Sequence, residues 1–118
     1  YFDLNGLKEV NDTQGHEAGD KLIKNAATGI NSVFIGDTYR IGGDEFVVIT
    51  THVKKDVFEK NVQETIEKLT ANGISVSFGT SWEQSSDRIE KQLSTADHLM
   101  YKNKLSYYKE LDEKDENG

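Results

Sequence analysis

The pattern of apolar and polar positions divides the chain into short strand-like runs and longer helical stripes. Tyr1-Phe2-Asp3-Leu4 is suited to a strand. Small and polar residues then gather through Asn5-Gly6, Asn11-Asp12, Gly15-His16 and Gly19-Asp20, while Leu7 and Val10 keep a three-residue spacing. This predicts a short helix followed by a loop. From Glu17 onward, Ala18, Leu22, Ile23, Ala26, Ala27, Ile30 and Val33 fall on one stripe of an amphipathic helix. Gly36-Asp37 signals a turn. Tyr39-Arg40-Ile41 and Phe46-Val47-Val48-Ile49 then read as a hairpin whose turn, Gly42-Gly43-Asp44-Glu45, carries two acids.

A second amphipathic helix is predicted over 54–72, with Val57, Phe58, Val62, Ile66 and Leu69 inside and Gly73 as its C-terminal cap. Ile74 to Gly79 alternates apolar and small polar residues, as a half-buried strand does. Ile89, Leu93, Ala96, Leu99 and Met100 predict a helix from Arg88 to Lys104. Leu105 to Leu111 reads as a final strand, and Asp112 to Gly118 as a frayed acidic tail. Hairpin strands alternating with crossover helices predict an α+β fold, a mixed β-sheet flanked by helices of polymerase-palm or ferredoxin-like type.

With 118 residues the chain is about one domain long, and 35% hydrophobic residues suffice for a modest core. A formal charge of -7 argues against a protein that coats nucleic acid or anionic lipid. No apolar run approaches the roughly 18 residues of a membrane span, and the start lacks the regions of a signal peptide, so no direct membrane insertion is expected. Absence of Cys removes disulfides, thiolate metal sites and Cys nucleophiles together, in agreement with a reducing compartment. His52 and His98 have no partner at metal-ligand spacing, so zinc is not expected.

Asp3 closes the first strand and Asp44-Glu45 sit in the hairpin turn, so neighbouring strands would bring three carboxylates to one edge of the sheet. Such a cluster repels itself unless a divalent cation neutralises it, and oxygen-only ligands suit Mg²⁺. Spacing alone favours the plainer reading, in which Asp3 caps the next helix and Asp44-Glu45 decorate a turn. Asn5, Gly6, Leu7 and Lys8 stand where backbone N–H groups and a Lys could cradle phosphates, or where a helix is simply capped and a Lys solvated. Asn11 and Asp20 have the hydrogen-bonding complement of a guanine edge, and equally that of turn and cap residues.

Asp3-Leu4-Asn5-Gly6-Leu7-Lys8-Glu9-Val10-Asn11-Asp12, then Gly15-His16 and Gly19-Asp20, then Arg40-Ile41-Gly42-Gly43-Asp44-Glu45-Phe46, closely resemble the GGDEF family of diguanylate cyclases. Val76-Ser77-Phe78-Gly79 and the segment from Ala96-Asp97 through Met100-Tyr101 to Lys104 are similar to that family's later strand and its helix. The resemblance runs from Tyr1 to about Tyr108, through five motifs in the family's order. It implies a nucleotidyl cyclase domain over 1–111, followed by the flexible tail of 112–118. Such a domain binds one GTP and, facing a second copy in a transient homodimer, condenses two GTP into cyclic di-GMP with release of pyrophosphate. By the same resemblance Asp3, the Leu4 carbonyl and Asp44 hold Mg²⁺, with Mn²⁺ as the alternative. Asp44 and Glu45 serve catalysis, Lys8 and Lys104 bind the terminal phosphates, Asn11 and Asp20 read guanine, and Asn5 counts with them among the substrate-binding residues.

Three departures from the family pattern bear on these expectations. Asn5 and Gly6 stand where the family often has Asp and Phe, opening the backbone near the phosphates. Tyr107-Tyr108 replace a Gly-Arg pair, which removes one phosphate-binding cation. The Arg-x-x-Asp motif of product inhibition would fall at Val33 to Gly36 and is not there. The family's usual lead-in is also absent, which suggests an excerpt of a longer cytoplasmic or membrane-anchored parent with sensor domains upstream. The rival expectation is a catalytically degenerate module that binds GTP and regulates a neighbouring domain. The intact Gly42-to-Phe46 motif with Asp3 favours catalysis, and the missing arginine favours the rival.

Overall fold

A computed structural model describes residues 1–85 and 87–117, with side chains as far as residue 114. Its elements run β1 (Phe2–Leu4), α1 (Leu7–Gln14), α2 (His16–Val33), β2 (Thr38–Arg40), β3 (Glu45–Val48), α3 (Lys55–Ala71), β4 (Val76–Phe78) and α4 (Ile89–Asn117). The strands form one sheet in the order β2-β3-β1-β4. Each crossover returns the chain one strand beyond its nearest neighbour, so β2 runs alongside β1 with β3 between them, and β4 alongside β3 with β1 between. Every neighbouring pair is therefore antiparallel, where the sequence pattern predicts a mixed sheet. The α+β palm-type architecture is the one expected.

Alternation along β1 sends Phe2 and Leu4 into the main core, where they meet Phe46 of β3, Ala26 and Ile30 of α2, and Val62 and Leu69 of α3. Phe2 and Leu4 are 3% and 2% exposed, so each removes nearly all of its side chain from water, an effect of roughly 1.5–3 kcal/mol apiece. Asp3 turns to the opposite face, the one on which α4 lies. There α4 packs so tightly against Gly79 that a side chain at that position would strike the α4 backbone at Ala96 and Met100. Gly73 ends the α3 region with φ +73, as a C-terminal cap requires.

Helix α4 also covers the segment from Leu105 to Leu111, where the sequence pattern predicts a strand. No Gly or Pro interrupts the chain between Lys104 and Asn117, and Leu105, Tyr108 and Leu111 recur at helical spacing, so nothing stops the helix and the strand preference of the tyrosines is overridden. The backbone of α4 continues through Asn117 across most of the acidic stretch. Gly118 and the side chains of residues 115–117 in that stretch lie outside the described residues. Among the described residues no helix is long and apolar enough to cross a membrane.

Candidate active site

The chemistry gathers where β1 and β3 end side by side. Asp3 pairs in register with Glu45 of β3 and with Ser77 of β4, which places those three side chains on the α4 face. The Leu4 N–H donates to the Asp44 carbonyl at 2.8 Å, and the Ile41 N–H to the Glu45 carbonyl at 3.0 Å, so the hairpin turn is tied both to itself and to β1. Carboxylate oxygens of Asp3, Asp44 and Glu45 then lie within 4.8 Å of one another. The acids converge, as the motifs together implied and spacing alone did not favour, at the ends of two central strands and not on an edge strand.

Asp3 is only 2% exposed. Its Oδ2 accepts from the Lys104 ammonium at 2.9 Å, while its Oδ1 is buried with no hydrogen-bond partner in the described structure. Burial pushes the Asp3 carboxyl above its ordinary range, the Lys104 hydrogen bond pulls it back, and neighbouring Asp44 pushes it up again, with the net direction upward. Lys104 also moves upward, through its hydrogen bond to Asp3, against a smaller opposing effect of burial. The two directions differ in what they say of the ion pair. Lys104 keeps contact with water and gains from pairing, whereas Asp3 loses its hydration and faces a second acid, so one ammonium leaves it under-compensated.

Asn5 is buried, and its amide is committed within the fold. Its Nδ2 donates to the Ser75 hydroxyl at 3.0 Å, and its Oδ1 accepts from the Ser77 hydroxyl at 2.8 Å. These contacts fasten the end of β1 to β4. Neither serine stood out in the sequence. The available signal was the small polar residue at alternate positions of an otherwise apolar strand, which needs an internal partner once buried.

The remaining candidates lie on α1 and near the start of α2. Lys8 is exposed in the first turn of α1, just after Gly6, whose φ of +77 starts that helix. Asn11 near the end of α1 lies against Gly19 near the start of α2, so closely that a side chain at position 19 would displace its amide. Asp20 follows directly and is exposed. Asn11 and Asp20 thus share the α1–α2 junction. Tyr107 and Tyr108 stack edge to face with ring centroids 5.2 Å apart. A cavity of about 650 Å³, lined by Phe34, Phe58, Trp82 and Leu93 among others, includes none of the three acids and does not bear on their chemistry.

The family model described as diguanylate cyclase, GGDEF domain, matches residues 1–109. Diguanylate cyclase VdcA of Vibrio cholerae is 32% identical over 117 residues, covering 87% of this chain and 34% of VdcA. Signaling protein YkoW of Bacillus subtilis is 30% identical, covering 92% of this chain and 16% of YkoW. The chain spans about a third of VdcA and less of YkoW. Among solved structures, the GGDEF domain of DgcB from Caulobacter crescentus, in complex with c-di-GMP, superposes with a TM-score of 0.78 at 24% identity, covering 89% of this chain and 70% of that one. That likeness is one of fold. A sensory box/GGDEF family protein from the same organism superposes with a TM-score of 0.72 at 31% identity, covering 89% and 76% of the two chains.

Proposed function

Since the chain belongs to the diguanylate cyclase GGDEF-domain family, we propose that it binds one GTP and, facing a second copy of itself, joins two GTP into cyclic di-GMP. Each ribose 3′-oxygen forms a bond to the α-phosphorus of the opposing GTP, the bond from that phosphorus to the bridging oxygen breaks, and two pyrophosphates leave. The observation that carries this reading is the convergence of three carboxylates, one of them the buried Asp3, whose Oδ1 has no partner among the described residues. An orphaned anionic oxygen beside two further acids fits a hard divalent cation with oxygen ligands. Asp3, the Leu4 carbonyl and Asp44 would hold it, with Mg²⁺ favoured and Mn²⁺ able to substitute.

Such a cation supplies positive charge for ionising the 3′-hydroxyl and for the charge that develops on the phosphate. The rest falls to side chains of this chain. Asp44 and Glu45 accept the hydroxyl proton. Lys8 and Lys104 pair with the terminal phosphates, Lys104 turning from Asp3 once another cation balances that acid. Asp20 accepts from the guanine N1–H and amine, and Asn11 completes the edge. Asn5, already bonded to Ser75 and Ser77, contributes by fixing the backbone that leads from Leu4 toward the phosphates.

The test is to fuse a dimerising segment ahead of Tyr1, add GTP and Mg²⁺, and look for cyclic di-GMP by mass. Product is expected, and in the unfused chain activity per mole should rise with protein concentration because two domains must meet. Product inhibition should be weak and competitive, since the Arg-x-x-Asp motif is missing. The second reading, a GTP-binding regulatory module, is favoured by Tyr107-Tyr108 in place of the Gly-Arg pair. GTP binding with no product from the fused protein would establish it in place of the first.

A further inference from the structure

Between β2 and β3 the chain must turn through Gly42 and Gly43, the first with the Glu45 side chain close by and the second in the open. A Cβ built at Gly43 would touch nothing within 4 Å, so this peptide has open space around it. Beyond the backbone bonds that close the hairpin at Ile41 and tie Asp44 to Leu4, one side chain reaches both glycine carbonyls. The Arg40 Nε donates to the Gly42 carbonyl at 3.0 Å, and its Nη2 donates to the Gly43 carbonyl at 2.9 Å. Arg40 itself is anchored in β2, where it pairs in register with Phe46 of β3, and its side chain is exposed.

We infer that Arg40 is a positioning residue, whose guanidinium clamps the two glycine carbonyls and thereby sets the direction in which Asp44 leaves the turn toward Asp3. This rests on the proposed cation site at Asp3 and Asp44. A planar fork with donors at fixed angles orients two consecutive peptide planes together, which a single ammonium on a flexible stem cannot do. Asp44 begins at the second of those planes. Its own carbonyl is then tied to the Leu4 N–H, so the residue that would share a cation with Asp3 is held from both sides. Groups that orient a metal ligand, without touching the metal, commonly govern its affinity by ten- to a hundredfold.

The alternative role for an arginine at the turn that carries Asp44 is simple charge balance, and the two roles predict opposite signs. Removing a positive charge from an acidic corner strengthens cation binding, whereas loosening the turn weakens it. The experiment titrates Mn²⁺ alone into the chain, followed by electron paramagnetic resonance, for wild type, Arg40→Lys and Arg40→Gln. Backbone ¹⁵N relaxation of the metal-free proteins follows the turn. Both variants are expected to bind Mn²⁺ about tenfold more weakly. Amide order parameters at 42–44 are expected to fall from near 0.85 toward 0.6, with the melting temperature unmoved because the side chain is exposed. Tighter binding by Arg40→Gln, or unchanged binding by Arg40→Lys, would overturn the inference in favour of charge. A wild-type chain that binds no Mn²⁺ would overturn the cation site instead, and the order parameters alone would then decide whether Arg40 holds the turn.

Discussion

The carboxylate corner at β1 and β3 and the junction between α1 and α2 both carry polar candidates for nucleotide chemistry, and they are built on opposite principles. In the corner, Asp3 is 2% exposed, one of its oxygens has no partner among the described residues, and two more acids stand beside it. The fold holds that arrangement against electrostatic resistance, which a bound cation would relieve. At the junction, Asp20 is exposed and Asn11 lies over Gly19, so the polar groups keep their water and only the absence of a side chain at position 19 shapes the site. Changes in the corner should therefore move metal response and chemistry together, and at Asp3 the pH dependence of stability as well. Changes at the junction should move recognition alone.

The hardest blow to this contrast is Asp44→Ala. Asp44 is half-buried and makes its ties through the backbone carbonyl, so removing its carboxylate leaves the hairpin intact. Turnover in the dimerised protein should fall by about a hundredfold to ten-thousandfold. Urea unfolding should change by no more than about 1 kcal/mol. Should the variant fail to fold, the acids of the corner would be structural and the contrast would collapse.

Gly19→Ala probes the other region. Alanine is favoured over glycine inside a helix by up to about 1 kcal/mol, so the chain should be no less stable. Its Cβ, however, takes the space of the Asn11 amide. Competition binding should show preference for GTP over ATP reduced by roughly ten- to a hundredfold, the range expected when a polar edge loses its partner. Unchanged preference together with an unchanged fold would remove Asn11 from the guanine edge.

The two regions also differed in how far they could be read before the structure. Helix α2 follows from the stripe of Leu22, Ile23, Ala26, Ile30 and Val33, and the β2–β3 hairpin from two β-rich runs about a glycine pair, because both signals are local. The meeting of Asp3 with Asp44 and Glu45 is non-local, and spacing alone favoured a plainer use for each. The order of several motifs together made the corner legible. Ser75 and Ser77 carried only the weak signal of small polar residues alternating along an apolar strand, which shows that they need a partner and not that the partner is Asn5. The segment after Lys104 misled for the converse reason, since tyrosines and leucines suit a strand until the lack of any helix stop is weighed. Antiparallel pairing throughout the sheet depends on which strands each crossover skips, a property of topology that no window of sequence contains.

The smallest expected effect is the most specific to the corner, and it appears in the metal-free protein. Asp3 is shifted upward from its ordinary value of 3.8 by burial first, with Lys104 opposing and Asp44 adding to the rise. A carboxyl that holds its proton more tightly in the folded state than in the unfolded one contributes stability below the unfolded value. That contribution is lost as pH rises through the folded value. Lys104 is shifted upward from 10.5, so its pairing stabilises the fold at all pH values below that and adds no slope in the acidic range. Asp3→Asn keeps the shape and an acceptor for Lys104 while removing the titration. Urea unfolding from about pH 4 to pH 7 should therefore show wild type losing stability relative to Asp3→Asn as pH rises, and added Mg²⁺ should recover that loss in wild type only. Parallel pH profiles for the two proteins would mean that Asp3 ionises in the fold as freely as in water. The corner would then hold no unbalanced charge, and the distinction from the α1–α2 junction would rest on geometry alone.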